Sequence, residues 1–328
     1  MKRLYIHSAS SISPQSSDKP VREFTPLTGP GIATLSCIEP DYKTRIDAKM
    51  IRRMSRIIRM GFYTALESLE AAGDIRPGAI ISATGLGCLE DTGVFIEKLI
   101  NNREEMLSPT AFIQSTHNAV AAQIALSMQN HGYNHTWVQG GISFECALDD
   151  AALWASEHPG QYVLLTAADE VTNYSLQVLK RFGLAGGEEV ADGITTGEGA
   201  VSLIVSTEKG NSTITIDACE TIYTPDDEEK VVESLQRWAE QSLSRNENSI
   251  LLSGETGAAY NGFYTEAVNF IRPSTIVAFK QYCGEYPVSS GFAVWTAWKA
   301  LLENLSQTAV IVNRDPRGYC SFLVLRRC

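Results

Sequence analysis

The stretch at residues 134–154, NHTWVQGGISFECALDDAALW, constrains the chain most, because two consecutive glycines stand between strand-like and helix-like sequence. Thr136, Trp137 and Val138 have strand character. Gly140 and Gly141 allow a tight reversal of the backbone. Ser143 is placed to cap a following helix, with Glu145 near the positive end of its dipole. Residues 147–155 are mostly apolar, as a helix buried in an α/β core requires. Many folds hold a nucleophile at such a junction, since the helix N-terminus stabilises an anion there. This elbow offers Gln139, Gly140 and Gly141: the place for a nucleophile is present, and the nucleophile is absent.

The flanking sequence keeps to α/β alternation. Strands are expected at 3–7, 79–83, 162–167 and 201–205, and a long surface loop at 8–40, where Ser, Pro, Gly and Thr crowd together. Residues 47–72 predict one helix, with Met50, Met54, Ile57, Ile58, Phe62, Ala65, Leu66 and Leu69 at helical spacing, ended by Gly73-Asp74. Further helices are expected at 91–101 and 116–129, and a polar, glycine-bearing excursion at 169–192. The second half predicts strands at 213–218, 249–252 and 275–279, helices at 228–244, from 264 to 271 and at 289–302, and a closing strand pair at 309–312 and 320–325. Residues 143–205 and 289–325 share one grammar of helix, strand, connection, strand. That predicts two similar α/β halves, residues 1–207 and 208–328, meeting near the linker at 208–211. With 328 residues the chain is long enough for both.

A net charge of −11 argues against general nucleic-acid binding. No apolar run is long enough to span a bilayer, and the brief apolar patch at the start is not a signal peptide. The seven cysteines are scattered without the spacing of a zinc site, so they read as reduced thiols of a cytoplasmic protein, with no metal and no cofactor implied. Lys49, Arg52, Arg53, Arg56 and Arg59 share a broad face of the helix at 47–72. Such a face is either simply solvated or a greeting for an acidic partner.

A set of ordered motifs resembles the β-ketoacyl synthases, the condensing enzymes of the thiolase fold. Arg52-Arg53-Met54-Ser55-Arg56 is like the family's RRM(D/S)R segment, and residues 65–73 like the A-L-E-x-A-G end of the helix that follows. Residues 109–125, with Asn118, look like the segment before the active-site strand. Gly197-Glu198-Gly199-Ala200 matches the family's GEGA turn. Lys280-Gln281-Tyr282-Cys283-Gly284-Glu285 matches K-x-x-x-G-H except at its last position, with Gly291 where the later glycine belongs. Glu266 takes the place of the acid that closes the H-G-T segment. The resemblance implies an α/β, thiolase-like fold in which two similar α-β-α halves form a five-layer α-β-α-β-α arrangement.

In that family a cysteine carries the acyl chain as a thioester, and two histidines assist decarboxylation and stabilise the oxyanion. Carried over residue by residue, the nucleophile falls on Gly141 and the histidines on Glu255, in Gly254-Glu255-Thr256-Gly257, and on Glu285. The histidines of the chain are His7, His117, His131, His135 and His158, so the second half has none. No catalytic residue is therefore expected, and Gln139, Gly140, Ser143, Lys280 and Gly284 would line a vestigial pocket. The chain looks like a chain-length factor, the degenerate partner of a catalytic ketosynthase, and is similar to partners of aryl polyene or flexirubin-type synthases. The resemblance further implies pairing through the strand at 135–138 with Trp137, and through the helix bearing Ala119, Ala121, Ala122 and Ala125. It also implies contact with an acyl carrier protein, with Lys49, Arg52, Arg53 and Arg56 as candidates. Without a partner, the same edge would form a homodimer.

The alternative is a free-standing acyl-transferring enzyme with unusual groups. Cys146 is its first candidate, although a helix capped by Ser143 carries it about 4.5 Å along the axis, and buried cysteine is common helix packing. Glu255 and Glu285 would serve as a carboxylate pair for proton transfer, or else stand ion-paired, Glu285 with Lys280. Ser143 faintly echoes an esterase elbow, with only His158 downstream as a base.

Overall fold

The computed structural model describes residues 1–29, 32–73, 75–107, 109–182, 194–225, 227–244, 247–256 and 261–328. Asp74, Gly257 and residues 183–192 of the expected excursion lie outside the described residues.

Among the described residues ten strands form one sheet: β1 (Leu4–Ile12), β2 (Ala79–Ala83), β3 (Tyr133–Trp137), β4 (Val163–Asp169), β5 (Gly199–Ser206), β6 (Ile214–Tyr223), β7 (Ser249–Ser253), β8 (Thr275–Ala278), β9 (Thr308–Arg314) and β10 (Tyr319–Arg327). Their spatial order is β3-β2-β4-β5-β1-β6-β10-β9-β7-β8. Counted from its own first strand, each half runs 3-2-4-5-1, so the two halves repeat one topology and meet back to back. The join is slight: β1 and β6 pair only at Leu4 with Ile216 and Tyr5 with Thr215. The outer pairs of each half are parallel, β2 with β3 and β4, and β7 with β8 and β9.

Eleven helices occur among the described residues: α1 (Ala48–Ile51), α2 (Arg56–Ala71), α3 (Leu89–Asn101), α4 (Pro109–Gln114), α5 (Ala119–Met128), α6 (Ser143–Glu157), α7 (Asn173–Arg181), α8 (Glu228–Ser242), α9 (Asn261–Ile271), α10 (Lys280–Cys283) and α11 (Ser289–Leu302). Strand residues send successive side chains to opposite faces, and the core divides accordingly. Ile81, Leu165, Leu203, Leu252, Ile311 and Leu323 join α6 and α11 in a central layer. Their neighbours Ile80, Leu164 and Ile204 pack under α2 and α5. Leu251, Val310 and Phe322 pack under α8 and α9. With the sheet folded on itself at the β1–β6 join, the layers run helix, half-sheet, helix, half-sheet, helix, the thiolase-like arrangement. α11 is buried almost all round, and α6 is buried except for a stripe at Asp149, Leu153 and Glu157, which is why 147–155 and 289–302 read as mostly apolar.

Two local expectations are corrected. The helix expected at 47–72 is broken: Ser55 stands extended (φ −67°, ψ 171°) and a fresh helix starts at Arg56. The turn between α1 and α2 still buries Met54, so helical periodicity survives the break. The surface loop expected from residue 8 does not begin there, because β1 continues to Ile12 along β5. Its serines are buried and answered by α2: Ser8 Oγ donates to the Ser68 carbonyl at 2.7 Å, and Ser10 bonds Glu67. Hydroxyls with such partners cost little to bury.

No helix of the described residues is long and apolar enough to cross a membrane.

Candidate functional site

The strand–elbow–helix junction forms as the sequence dictates. The backbone leaves β3 after Trp137, whose carbonyl accepts from Thr84 N–H at 3.1 Å. Residues Gly140–Ile142 make one tight turn, and α6 follows directly. Gly140 adopts φ +60°, the left-handed conformation that favours glycine. Ser143 is not the helix cap. It is fully buried in the first turn, where its Oγ accepts from Gln139 N–H and donates to the Gly140 carbonyl, both at 2.8 Å. The hydroxyl thus braces the elbow. His158 closes the far end of α6, about 22 Å along the axis, where it stacks on Trp154. Ser143 and His158 are therefore not a nucleophile and its base.

The space beside Gly141, the expected nucleophile position, is occupied. A Cβ built on Gly141 would overlap the Cβ, carboxyl carbon and Oδ2 of Asp315. A Cβ on Gly140 would meet the Arg317 guanidinium at 2.8 Å. Both residues come from the turn between β9 and β10. Asp315 is buried there by its own turn: its carboxylate accepts from the backbone N–H of Arg317 and of Tyr319 and from Arg317 Nε, each at 2.9 Å. Arg317 is half-exposed and covers the outside.

The same turn meets the segment that resembles the family's lysine motif. Lys280 is fully buried, and its ammonium donates to Glu285 Oε2 at 2.5 Å and to the Arg314 carbonyl at 2.9 Å. Burial raises the Glu285 carboxyl above its ordinary value, while Lys280 pulls the other way. The Glu285 backbone bridges to Thr195 and Gly197 at 2.9 Å. Close approach explains the glycines of both motifs. A side chain on Gly197 would collide with the Cys283 carbonyl, and Gly284 has φ +78°. Glu255 is half-buried just past β7, where Gly254 N–H binds the Val312 carbonyl at 2.8 Å.

Cys146 is a poor nucleophile. Burial, then neighbouring Glu145 and Asp149, push its thiol up to about 11. A thiolate is the reactive form, so little of it exists near neutrality. Glu145 lies in the first turn of α6, at the dipole's positive end as expected, and is fully buried there. Neither of its oxygens has a hydrogen-bond partner among the described residues. Burial raises this carboxyl to about 7, with the Ser321 and Ser290 hydroxyls pulling it back and Asp315 adding repulsion. The sequence reading missed Glu145, Asp315 and Arg317 as site residues. Residues 315–318 join the two strands expected to close the chain, but their seat against the elbow is tertiary.

The candidate pairing edge is outermost in the sheet: β3 has β2 on one side only. Tyr133, His135 and Trp137 line one face of it, with His135 stacked on Tyr133 and edge-on to Trp137. Ala119, Ala122 and Ala125 of α5 are half-buried. Val138, Leu126 and Leu153 are exposed apolar side chains on the neighbouring segments. The basic stripe is only partly available. Arg56 grips Glu198 with two 2.6 Å bonds and Glu39 with a third, and Arg59 lies over the Tyr42 ring. Lys49, Arg52 and Arg53 remain exposed. Arg56 is thus structural: it joins the RRM(D/S)R-like segment to the GEGA turn.

The model of the β-ketoacyl synthase N-terminal domain matches residues 38–244. No curated protein matches the sequence. Among solved structures, the ketosynthase ApeO in complex with its chain length factor ApeC from Xenorhabdus doucetiae is similar over 100% of this chain and 98% of that one, at 13% identity and a TM-score of 0.79. The ishigamide ketosynthase/chain length factor covers 99% of each chain at 16% identity and a TM-score of 0.77. The AntDE:AntF complex, a type II acyl-carrier protein with its ketosynthase bound to the hexaketide, covers 100% of each at 15% and 0.80. Identities this low speak to the fold alone. The family model, which spans more than half of the sequence, speaks to descent: the chain belongs to the β-ketoacyl synthase family.

Proposed function

We propose that this protein is a non-catalytic, chain-length-factor-type subunit that pairs with an active ketosynthase. One observation carries the reading. The elbow that would hold the nucleophilic cysteine holds Gly141, with Asp315 packed where a side chain would go. The two histidine positions support it, since they are Glu255 and Glu285 and the latter is ion-paired with Lys280. A decarboxylation step needs donors aimed at a developing enolate, and two carboxylates oppose it.

In this reading residues 1–207 carry the pairing edge and 208–328 complete the fold. The partner's equivalent strand continues the sheet along β3, burying Trp137 and the Ala119, Ala122 and Ala125 face of α5. An exposed edge strand invites such pairing. Lys49, Arg52 and Arg53 then offer a basic surface to an acyl carrier protein. Neighbours of the same fold that are ketosynthase/chain length factor complexes make a heterodimer in polyketide or polyene synthesis the preferred assignment over a homodimer.

The test is co-expression with an intact ketosynthase of the same source. Co-purification as a one-to-one complex, with condensing activity that depends on both chains, is expected. Condensation by this chain alone, or no complex with that partner, would overturn the assignment.

A further inference from the structure

We propose that Asp315 and Arg317 form a built-in plug that closes the elbow of this subunit to acyl and pantetheine groups. No part of a growing chain then enters this half of an assembly, and product length is set within the partner and at the interface. The inference rests on the non-catalytic reading and goes beyond it. A chain that had merely lost its cysteine would keep an open pocket, whereas this one fills the space from the opposite half of the molecule.

The argument is geometric. Three Asp315 atoms, its Cβ included, stand where a Gly141 side chain would begin. Rotating the carboxylate does not free that space, because the Cβ position is fixed by the backbone of the turn. The turn is itself held. Asp315 N–H donates to the Tyr319 carbonyl at 2.8 Å, and its carboxylate gathers two backbone N–H groups and the Arg317 side chain. Arg314, one residue earlier, is pinned through its carbonyl by buried Lys280. Lys280 is in turn held by Glu285, so the old motif has become the anchor of the plug. On the outside, Arg317 lies against Gly140 and over the Tyr319 ring, 5.9 Å from its centroid. Elbow glycines and turn are thus complementary: any side chain at Gly141 excludes Asp315, and Asp315 excludes any ligand there.

The test is thiol labelling at the elbow. Gly141→Cys is compared with Gly141→Cys/Asp315→Gly/Arg317→Ala on the purified chain, with iodoacetamide as the probe and exposed Cys328 as the internal reference. In the single variant the new thiol is expected to react at least tenfold more slowly than Cys328, and in the triple variant at a comparable rate. Circular dichroism reports folding. A single variant that fails to fold while the triple variant folds is the same clash read as stability. Equal labelling of the two variants, or a triple variant that folds no better than an unfolded single one, overturns the plug. As a measurement without substitution at the elbow, S-octanoyl-pantetheine is titrated calorimetrically into the natural chain and into Asp315→Gly/Arg317→Ala. Binding is expected only to the variant, and equal binding to both overturns the proposal. These readouts need no partner. A plug that fails leaves the pairing assignment standing, and a chain that pairs with no ketosynthase leaves the plug standing.

Discussion

Trp137 Nε1 donates to the Asp150 carboxylate at 2.9 Å, tying the outermost strand of the sheet to the central helix behind it. The Tyr133 hydroxyl reaches the same carboxylate at 3.2 Å from the other end of β3. One acid on α6 therefore holds both aromatic residues of an edge that has no second strand beside it. Asp150→Ala is expected to free both rings, to cost the isolated chain about 1–2 kcal/mol, and to weaken pairing at least tenfold. Titration of partner ketosynthase by analytical ultracentrifugation measures it. Unchanged affinity would place the interface elsewhere.

Ala122 on α5 tests the same face from its other side. A glutamate there adds a charge that pairing would bury without a partner, a cost of several kcal/mol. Ala122→Glu is expected to abolish co-purification and the activity of the pair together. Because Ala122 is half-buried rather than enclosed in the isolated chain, the variant is expected to stay folded by circular dichroism. A mutant that still co-purifies with a fully active partner would refute this interface.

Lys280 and Glu285 probe the converted motif. Lys280→Met leaves Glu285 buried beside a chain that can no longer neutralise it, and an unpaired buried charge costs about 3–5 kcal/mol. The double change Lys280→Met/Glu285→Gln removes the charge as well, and is expected to recover at least half of that loss in urea denaturation. Equal destabilisation of single and double variants would show that packing, not charge, holds the turn.

How much of this was legible in the sequence divides along physical lines. The elbow, the apolar central helices and the repeated grammar of the halves are local patterns, and local patterns survive folding. Helical periodicity across 47–72 was also real, yet Ser55 divides the helix, because periodicity records which face is buried and not whether the backbone is continuous. The extension of β1 to Ile12 was hidden by its serines, whose hydroxyls find partners on α2 that no short window contains. The sequence marks the expected site only by resemblance, through the residues at Gly141, Glu255 and Glu285. What fills it, Asp315 and Arg317, is separated from the elbow by more than 170 residues, and only the meeting of the two halves brings them together.

Cys146 offers a check on the catalytic alternative. Its thiol stands near 11, held up first by burial. Below that value the thiolate fraction rises tenfold per pH unit. Alkylation of Cys146 is expected to be very slow at pH 7 and to accelerate about tenfold per unit up to pH 10. No acyl adduct on Cys146 is expected by mass spectrometry after incubation with an acyl-carrier thioester. A stoichiometric adduct at pH 7 would restore the enzyme reading.

Glu145 gives the chain a pH dependence of unusual sign. Its carboxyl is held at about 7 in the fold against an ordinary value of 4.5, because burial disfavours its charge. Between those values the folded state binds the proton more tightly than the unfolded state does. Stability therefore falls as pH rises from about 4.5 through about 7, and the full penalty, of order 3 kcal/mol, is present above that range. Asp169, raised to about 6, and Glu170, raised to about 7, act in the same direction, so the natural chain is expected to melt several degrees lower at pH 8 than at pH 5.5. Glu145→Gln removes the titration at this one position and keeps a polar side chain facing Ser290 and Ser321. It is expected to differ less from the natural chain at pH 5.5 than at pH 8, to melt higher at pH 8, and to leave the share owed to the other raised carboxyls, Asp169, Glu170 and Glu285 among them. Melting curves at the two pH values and one ionic strength decide it. Parallel shifts in both proteins would mean that Glu145 carries no such charge penalty.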